Sequence, residues 1–287
     1  MPQPPVVLDS IAGIRVAVAA ARAEGRDIAL VPTMGALHPG HLRHVDRLRE
    51  LDPTAFVVVS IFVNPLQFGP SEDFARYPRT LEDDVAELAA VGADAVFAPA
   101  VAEMYPDGGA LVTVSAGGVG AAFEGAARPG HFDGALTVVA KLLQIVQPDV
   151  ASFGQKDAQQ LWLVERMVRD LDIPVRILQI PTVREADGLA MSSRNRYLAA
   201  TERDAALALS RALAAAESAA DAGIDAVLAA AQTVLAEARD VEVDYFAVVD
   251  ATTFSPVPDG FRGPVIALVA ARVGATRLID NARFRLG

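Results

Sequence analysis

The chain contains no cysteine in its 287 residues. Disulfide frameworks, thiolate metal sites and cysteine nucleophiles are therefore excluded. Lysine is nearly absent too: of 25 basic residues only Lys141 and Lys156 are lysines, and arginine supplies the rest. A lysine against that background raises the question of whether a compact ammonium is needed at that point. No apolar run reaches the length of a membrane span. Positive charge is in deficit, the formal net charge being −11. That balance argues against a nucleic-acid partner, whose phosphates need a basic surface. Residues 1–5 lack the basic-then-apolar plan of a signal peptide. The expectation is a soluble cytoplasmic protein that acts on small molecules, with neither nucleic acid nor membrane among its partners.

What is present is a large apolar reserve, 52% of the residues, and a distinctive stretch at 28–44, IALVPTMGALHPGHLRH. Its first four residues form a short apolar run suited to a buried strand. Pro32 and Gly35 turn the chain, Pro39 and Gly40 turn it again, and Leu42, Val45, Leu48 and Leu51 then fall at helical spacing. The order is strand, glycine-containing turn, helix. A helix start offers backbone N–H groups and partial positive charge, a natural place for phosphate. His38 and His41 flank the turn, and two imidazoles there suit hydrogen bonds to phosphate oxygens as charge develops. The plainer reading is a helix cap and a surface histidine. Metal ligation by His38, His41 and His44 is a third reading, but no cysteine or close carboxylate completes a ligand set.

Further along, 55–63 (AFVVVSIFV) has the nearly continuous apolar character of a strand covered on both faces. Asn64 and Gln67 follow at once, where open α/β sheets place their ligands. They suit hydroxyl and carboxylate oxygens, or else form an ordinary polar turn. Helices are predicted at 11–24, 81–91, 132–146 and 158–171, and strands at 95–98, 150–153 and 175–180. Glu82, Asp83 and Asp84 lie in a first helical turn, where carboxylates favour the dipole; a magnesium contact at Asp83 is the alternative. The glycine-rich stretch 104–134, which holds Glu124, Arg128 and His131, reads as a flexible cover. Lys141, mid-helix, reads as a solvated side chain.

A second strand–glycine–helix junction holds Gly154, Gln155, Lys156 and Asp157. Lys156 suits phosphate oxygens as a mobile point charge, and Asp157 either caps the helix or holds a ligand hydroxyl. In 181–195, Ser192, Ser193 and Arg194 supply two hydroxyls and a guanidinium in succession, a grip for polyphosphate or, more plainly, a cap with a surface arginine. After Tyr197 the chain becomes alanine-rich and helical, broken near Gly223, and then turns to strands at 243–249 and 265–273, with 276–279 as a candidate third. Alternating strands and helices giving way to helices followed by strands marks a domain boundary. The expected fold is α/β: a Rossmann-like doubly wound parallel sheet over 1–183 and a smaller α+β C-terminal domain over 184–287 carrying the Ser-Ser-Arg loop.

No P-loop and no dinucleotide G-x-G-x-x-G is present. The His-x-Gly-His turn instead resembles that of the class I nucleotidyltransferase superfamily, and 191–194 resembles its second phosphate loop. Five blocks, 32–41 (PTMGALHPGH), 60–68 (SIFVNPLQF), 77–80 (YPRT), 154–160 (GQKDAQQ) and 191–195 (MSSRN), occur in the order found in the pantothenate synthetase (pantoate–β-alanine ligase) family. That resemblance spans nearly the whole chain. Gln155 stands where the family usually has Glu, and Leu66 where it often has Met.

The resemblance implies ATP-dependent joining of (R)-pantoate to β-alanine through a pantoyl adenylate, with release of pyrophosphate and AMP, a step in making vitamin B5 and coenzyme A. It implies that His41 is a proton donor, and that His38 and Lys156 assist at the phosphates. The implied ATP site comprises Met34, Gly35, Ala36, Leu37, His38, Pro39, Gly40 and His41, then Gly154, Gln155, Lys156 and Asp157, then Val183 with Met191, Ser192, Ser193 and Arg194. Gln67 and Gln160, with Asn64, are implied to hold pantoate, and Gln67 also to meet β-alanine. The family pattern further implies Mg2+ with ATP as substrate and a homodimer formed through the larger domain.

Overall fold

The computed structural model describes residues 4–70, 72 and 74–287. Residues 1–3, Ser71 and Asp73 lie outside the described set. The chain divides into two compact units. One runs to Gln155 and adds Gln160–Pro181; the other comprises Lys156–Gln159 and Thr182–Gly287.

The first unit contains β1 (Val6–Leu8), α1 (Ile11–Ala23), β2 (Ile28–Thr33), α2 (Pro39–Leu51) and β3 (Phe56–Ile61). It continues with α3 (Leu81–Ala90), β4 (Ala95–Phe97), α4 (Val101–Met104), α5 (Glu124–Ala127), α6 (His131–Val146), β5 (Val150–Gly154), all but the first two residues of α7 (Ala158–Asp170), and β6 (Arg176–Ile180). The strands form one parallel sheet in the order β1-β4-β3-β2-β5-β6. Alternation sorts its side chains by face. Ile28, Leu30 and Val58 join Ile14, Val18, Leu136, Leu143 and Leu161 in one core, whereas Ala29, Val31, Val57 and Val59 join Val45, Leu48 and Leu88 in another. Helices α1, α6 and α7 thus cover one face and α2 and α3 the other, so every central strand is buried on both sides. That is why these strands read as unbroken apolar runs.

From β2 the chain winds through α2 to β3 in one direction; from β5 it winds through α7 to β6 in the other. Strands β2 and β5 are neighbours, with Ala29 opposite Val150 and Leu30 opposite Ala151. The crevice outside their carboxyl ends is the topological switch point of the sheet, where such folds take their ligands. The short strand β1 was not expected: three residues, two of them exposed, carry too little pattern to read.

The second unit contains α8 (Ala200–Ser218), α9 (Ile224–Glu237), β7 (Val241–Asp250), β8 (Gly263–Val273) and β9 (Thr276–Leu286). The strands form an antiparallel sheet, β7-β8-β9, and Leu209, Leu213, Val227 and Leu235 of the helices pack with Val265, Val269 and Leu278. The expected third strand was four residues; β9 has eleven. Its apolar period is interrupted by Asp280 and Asn281, which are buried for reasons of hydrogen bonding rather than hydrophobicity.

Candidate active site

The turn between β2 and α2 is tightly specified. Gly35 has φ +81° and Ala36 φ +51°. A Cβ on Gly35 would lie 2.9 Å from Ile61 Cγ2 and 3.0 Å from an Asp84 oxygen, so both space and dihedral call for glycine. Ala36 is an alanine in the left-handed region, which costs about 1–2 kcal/mol per residue. Asp84 offsets that cost. Its carboxylate is buried and accepts from Ala36 N at 3.0 Å and Leu37 N at 2.8 Å, while Thr80 Oγ1 donates to it at 3.2 Å. Thr33 Oγ1 accepts from Gly35 N at 3.2 Å and donates to Ser60 O at 2.7 Å. Asp84, in the acidic first turn of α3, thus does more than favour a helix dipole. The spacing of Leu81, Asp84, Val85 and Leu88 put it on the apolar face, a signal that an acid there has internal partners. Asp83 is on the exposed face.

His38 caps α2, its Nδ1 accepting from Gly40 N at 3.1 Å. In its neutral form His38 therefore carries its proton on Nε2. The N–H groups of His41 and Leu42 both donate to His38 O, at 2.8 and 3.2 Å. The backbone donors expected to meet phosphate are consequently engaged within the turn, and Pro39 has none to offer. The two imidazoles stand side by side, with centroids 3.9 Å apart and planes tilted by 31°. His44, the third histidine, is committed elsewhere: its Nδ1 lies 3.0 Å from Ser152 Oγ, tying α2 to β5. Among the described residues no group of three His, Asp or Glu side chains is placed to hold a metal ion.

Asn64 and Gln67 follow β3 in a short 3-10 turn and are both buried. Asn64 Nδ2 donates to Gln67 Oε1 at 3.0 Å and to Gly134 O at 3.1 Å. Gln67 Nε2 lies 3.3 Å from Met34 Sδ, so the carboxamide borders the histidine turn. Helix α6 reaches this turn only because residue 134 is glycine: a Cβ there would stand 2.1 Å from Leu66 O. His131 Nδ1 is 2.8 Å from Gln67 O; the carbonyl forces Nδ1 to donate, which leaves Nε2 to accept from Arg128 Nη1 at 2.9 Å. Arg128 also grips both carboxylate oxygens of Glu72, at 2.7 and 2.8 Å. Burial would raise the Glu72 carboxyl, but the Arg128 guanidinium outweighs it and holds the group below the usual carboxylate range.

The glycine-rich stretch 104–134 is not loose throughout: Gly108, Gly109, Gly117 and Gly118 face open space, but other parts are pinned. Val114 N donates to Thr137 Oγ1 and Ala116 N to Asp133 Oδ1, both at the start of α6, and Gly125 packs directly on the Gly120 carbonyl. Gly120 and Gly125 serve close packing. Lys141 is likewise not simply solvated: it is half-buried, with Nζ 5.8 Å from the Tyr105 ring centroid.

At the end of β5, Gln155 Nε2 donates to Gln179 Oε1 at 3.0 Å, and Gln179 Nε2 in turn donates to Glu165 at 2.6 Å. A neutral amide at 155 serves this relay without adding a charge beside Glu165. Gln160 is half-buried in the first turn of α7. In the second unit, Lys156 O accepts from Asn281 Nδ2 at 2.9 Å, and Asp157 is exposed. Ser192 caps the turn Ser193–Tyr197, its Oγ accepting from Arg194 N at 3.3 Å. Asn195 holds that loop by donating to Ala190 O and Glu185, and Glu185 pairs with Arg203. Met191 N donates to Val183 O, and the neighbouring Arg184 forks onto the buried Asp280 carboxylate.

A doubly wound α/β sheet with paired imidazoles and buried carboxamides beside its switch point defines an enzyme class that handles phosphates together with a small oxygen-rich molecule. Similarity to known proteins narrows this. The family described as pantoate-beta-alanine ligase matches residues 6–283. The pantothenate synthetase of Leifsonia xyli is 58% identical over 280 residues, 98% of this chain and 96% of that protein. That of Thermobifida fusca is 55% identical, covering 90% of each. Among solved structures, pantothenate synthetase from Thermus thermophilus superposes with a TM-score of 0.89 at 47% identity, over 96% of this chain and 98% of that one. Pantoate-beta-alanine ligase from Francisella tularensis, complexed with beta-gamma ATP and beta-alanine, gives 0.76 at 31% identity, over 97% of both. The chain belongs to the pantoate–beta-alanine ligase family.

Asp84→Asn turns one acceptor oxygen of the turn into a donor facing a backbone N–H. It is expected to lower unfolding stability by ~2–3 kcal/mol in urea titrations and to raise KM for ATP. An unchanged midpoint and KM would show that the turn holds itself.

Proposed function

We infer that the chain is an amide-forming, AMP-releasing ligase that condenses (R)-pantoate with β-alanine at the expense of ATP. The observation that carries this reading is the approach of Gln67 Nε2 to Met34 Sδ at 3.3 Å. It supports reading the paired-imidazole turn and the buried carboxamides as two walls of one region of the first unit. One wall suits phosphate and the other a hydroxy acid.

A free carboxylate is a poor acylating agent. In the first half-reaction a pantoate carboxylate oxygen attacks the α-phosphorus of ATP, and pyrophosphate leaves. In the second, the β-alanine amine attacks the acyl carbon of pantoyl adenylate, the C–O bond breaks, and AMP leaves with that oxygen. Charge grows on the α-phosphate and pyrophosphate oxygens. His41 and His38 supply imidazole donors to it, His38 through Nε2–H because its Nδ1 serves the helix cap. Donors held in place before reaction are worth about 3–4 kcal/mol each in transition-state stabilisation. Lys156, Ser192, Ser193 and Arg194 are the second unit's phosphate ligands in this scheme, with Gly154, Gln155, Asp157, Val183 and Met191 as neighbours of the nucleotide. Gln67, Asn64 and Gln160 hold pantoate.

Mg2+ enters with ATP, where it neutralises phosphate charge. Asp83, exposed in the first turn of α3, is its candidate protein contact. Most of the coordination shell then comes from phosphate oxygens and water. The segment 104–134 shields the adenylate from water in this scheme. A cytoplasmic setting fits dependence on ATP.

Omitting pantoate, β-alanine, ATP or magnesium in turn from a reaction monitored for AMP is expected to abolish its formation each time, apart from slow adenylate leakage without β-alanine. His41→Ala should cut kcat roughly a hundred-fold or more while leaving nucleotide affinity nearly intact. AMP formation that ignores pantoate, or equal loss of rate and affinity, would refute the assignment. A homodimer formed through the first unit gives the exposed Leu111 and Val112, 96% and 89% accessible, an apolar partner. Sedimentation of a single species at the monomer mass would exclude it.

A further inference from the structure

Tyr105 follows α4 and is buried, and it has no part in the reaction scheme above. Its phenol oxygen lies 2.9 Å from Asn64 Oδ1. Backbone groups fix which way the Asn64 amide points. Leu66 N, an obligatory donor, is 3.3 Å from one side-chain atom of Asn64, and Gly134 O, an obligatory acceptor, is 3.1 Å from the other. The first must be oxygen and the second nitrogen. Two consequences follow. Tyr105 faces the oxygen and therefore donates. The Asn64 NH2 group faces Gln67 at 3.0 Å, so the Gln67 atom it meets is oxygen. The other end of the Gln67 carboxamide is then NH2, and the acceptor beside it is the Met34 sulfur at 3.3 Å, a weak one.

We propose that Tyr105 is a positioning residue which, through Asn64, locks the Gln67 carboxamide with its NH2 group outward, so that this position of the pocket accepts an oxygen acceptor of the hydroxy acid and rejects a donor such as an ammonium. The proposal rests on the assignment of Gln67 to the pantoate site. Without the phenol, Asn64 Oδ1 keeps only the longer bond from Leu66 N, and the barrier to flipping both amides falls. Burial pushes the Tyr105 phenol up to about 12, so it remains a protonated donor throughout the working range. The Gln67 backbone is pinned independently by His131. The lock therefore acts on the side-chain amide alone. Lys141, which stands over the Tyr105 ring, gains a role here: a cation on the ring face holds the phenol in place.

The test is calorimetric titration of pantoate into the full chain saturated with a non-hydrolysable ATP analogue, for the parent, Tyr105→Phe, Asn64→Ala and the double variant. Tyr105→Phe is expected to weaken pantoate roughly five- to ten-fold with the nucleotide analogue changed less than about two-fold, and to cause no further loss once Asn64 is alanine. Three outcomes would overturn the lock: unchanged pantoate affinity, equal weakening of pantoate and nucleotide, or a full additional loss in the Asn64→Ala background. If Asn64→Ala abolishes binding outright, the ratio of pantoate to nucleotide affinity in Tyr105→Phe decides. Failure of the parent chain to bind pantoate at all would instead strike the assigned function, and the lock with it.

Discussion

The structure depends on one carboxylate. Asp84 reaches across from α3 to take the N–H groups of Ala36 and Leu37, and so holds a turn that its own dihedrals disfavour. A left-handed alanine beside a left-handed glycine persists only where its surroundings over-determine it. Here they do: Thr33 ties the turn to β3, Thr80 ties Asp84 to the start of α3, and His38 caps α2. The outcome is a pair of imidazoles presented 3.9 Å apart at the switch point of a parallel sheet. The internal bonding also constrains the proposed phosphate site. Backbone N–H groups at the start of α2 are already engaged, which in that proposal leaves recognition of charge to side chains.

The neighbouring strand contributes the opposite chemistry. Asn64 and Gln67 are neutral, buried and bonded to one another, and α6 closes on them through a glycine that leaves no room for a Cβ. Neutral carboxamides bind hydroxyls and carboxylates without altering the ionisation of a carboxylate that must act as a nucleophile. In the proposed scheme the contact with Met34 brings an acid-binding wall to a phosphate-binding wall, which is the requirement for making an acyl adenylate. Matches over nearly the full length to pantothenate synthetases give that chemistry its substrates.

Much of this was legible in the sequence because it is local. Pro32, Gly35, Pro39 and Gly40 punctuate the histidine turn within a few residues of one another, and the apolar runs that become β2, β3 and β5 are buried on both faces. The ordered blocks pointed to the right family. What was hidden is long in range or runs against type. Asp84 is 47 residues from Leu37 and Tyr105 is 41 from Asn64. No spacing rule connects them. Glycines at 120 and 125 read as looseness but serve contact, because composition does not distinguish freedom from close approach. The length of β9 was concealed by Asp280 and Asn281, polar residues buried to hold Arg184 and the Lys156 carbonyl.

The central claim is that a carboxylate oxygen of the hydroxy acid becomes bonded to the α-phosphorus. Pantoate labelled with oxygen-18 in its carboxylate, turned over with ATP, magnesium and β-alanine, tests this most directly by mass spectrometry of the products. The account requires one labelled oxygen in AMP and none in pyrophosphate. AMP free of label, or label found in pyrophosphate, would contradict it.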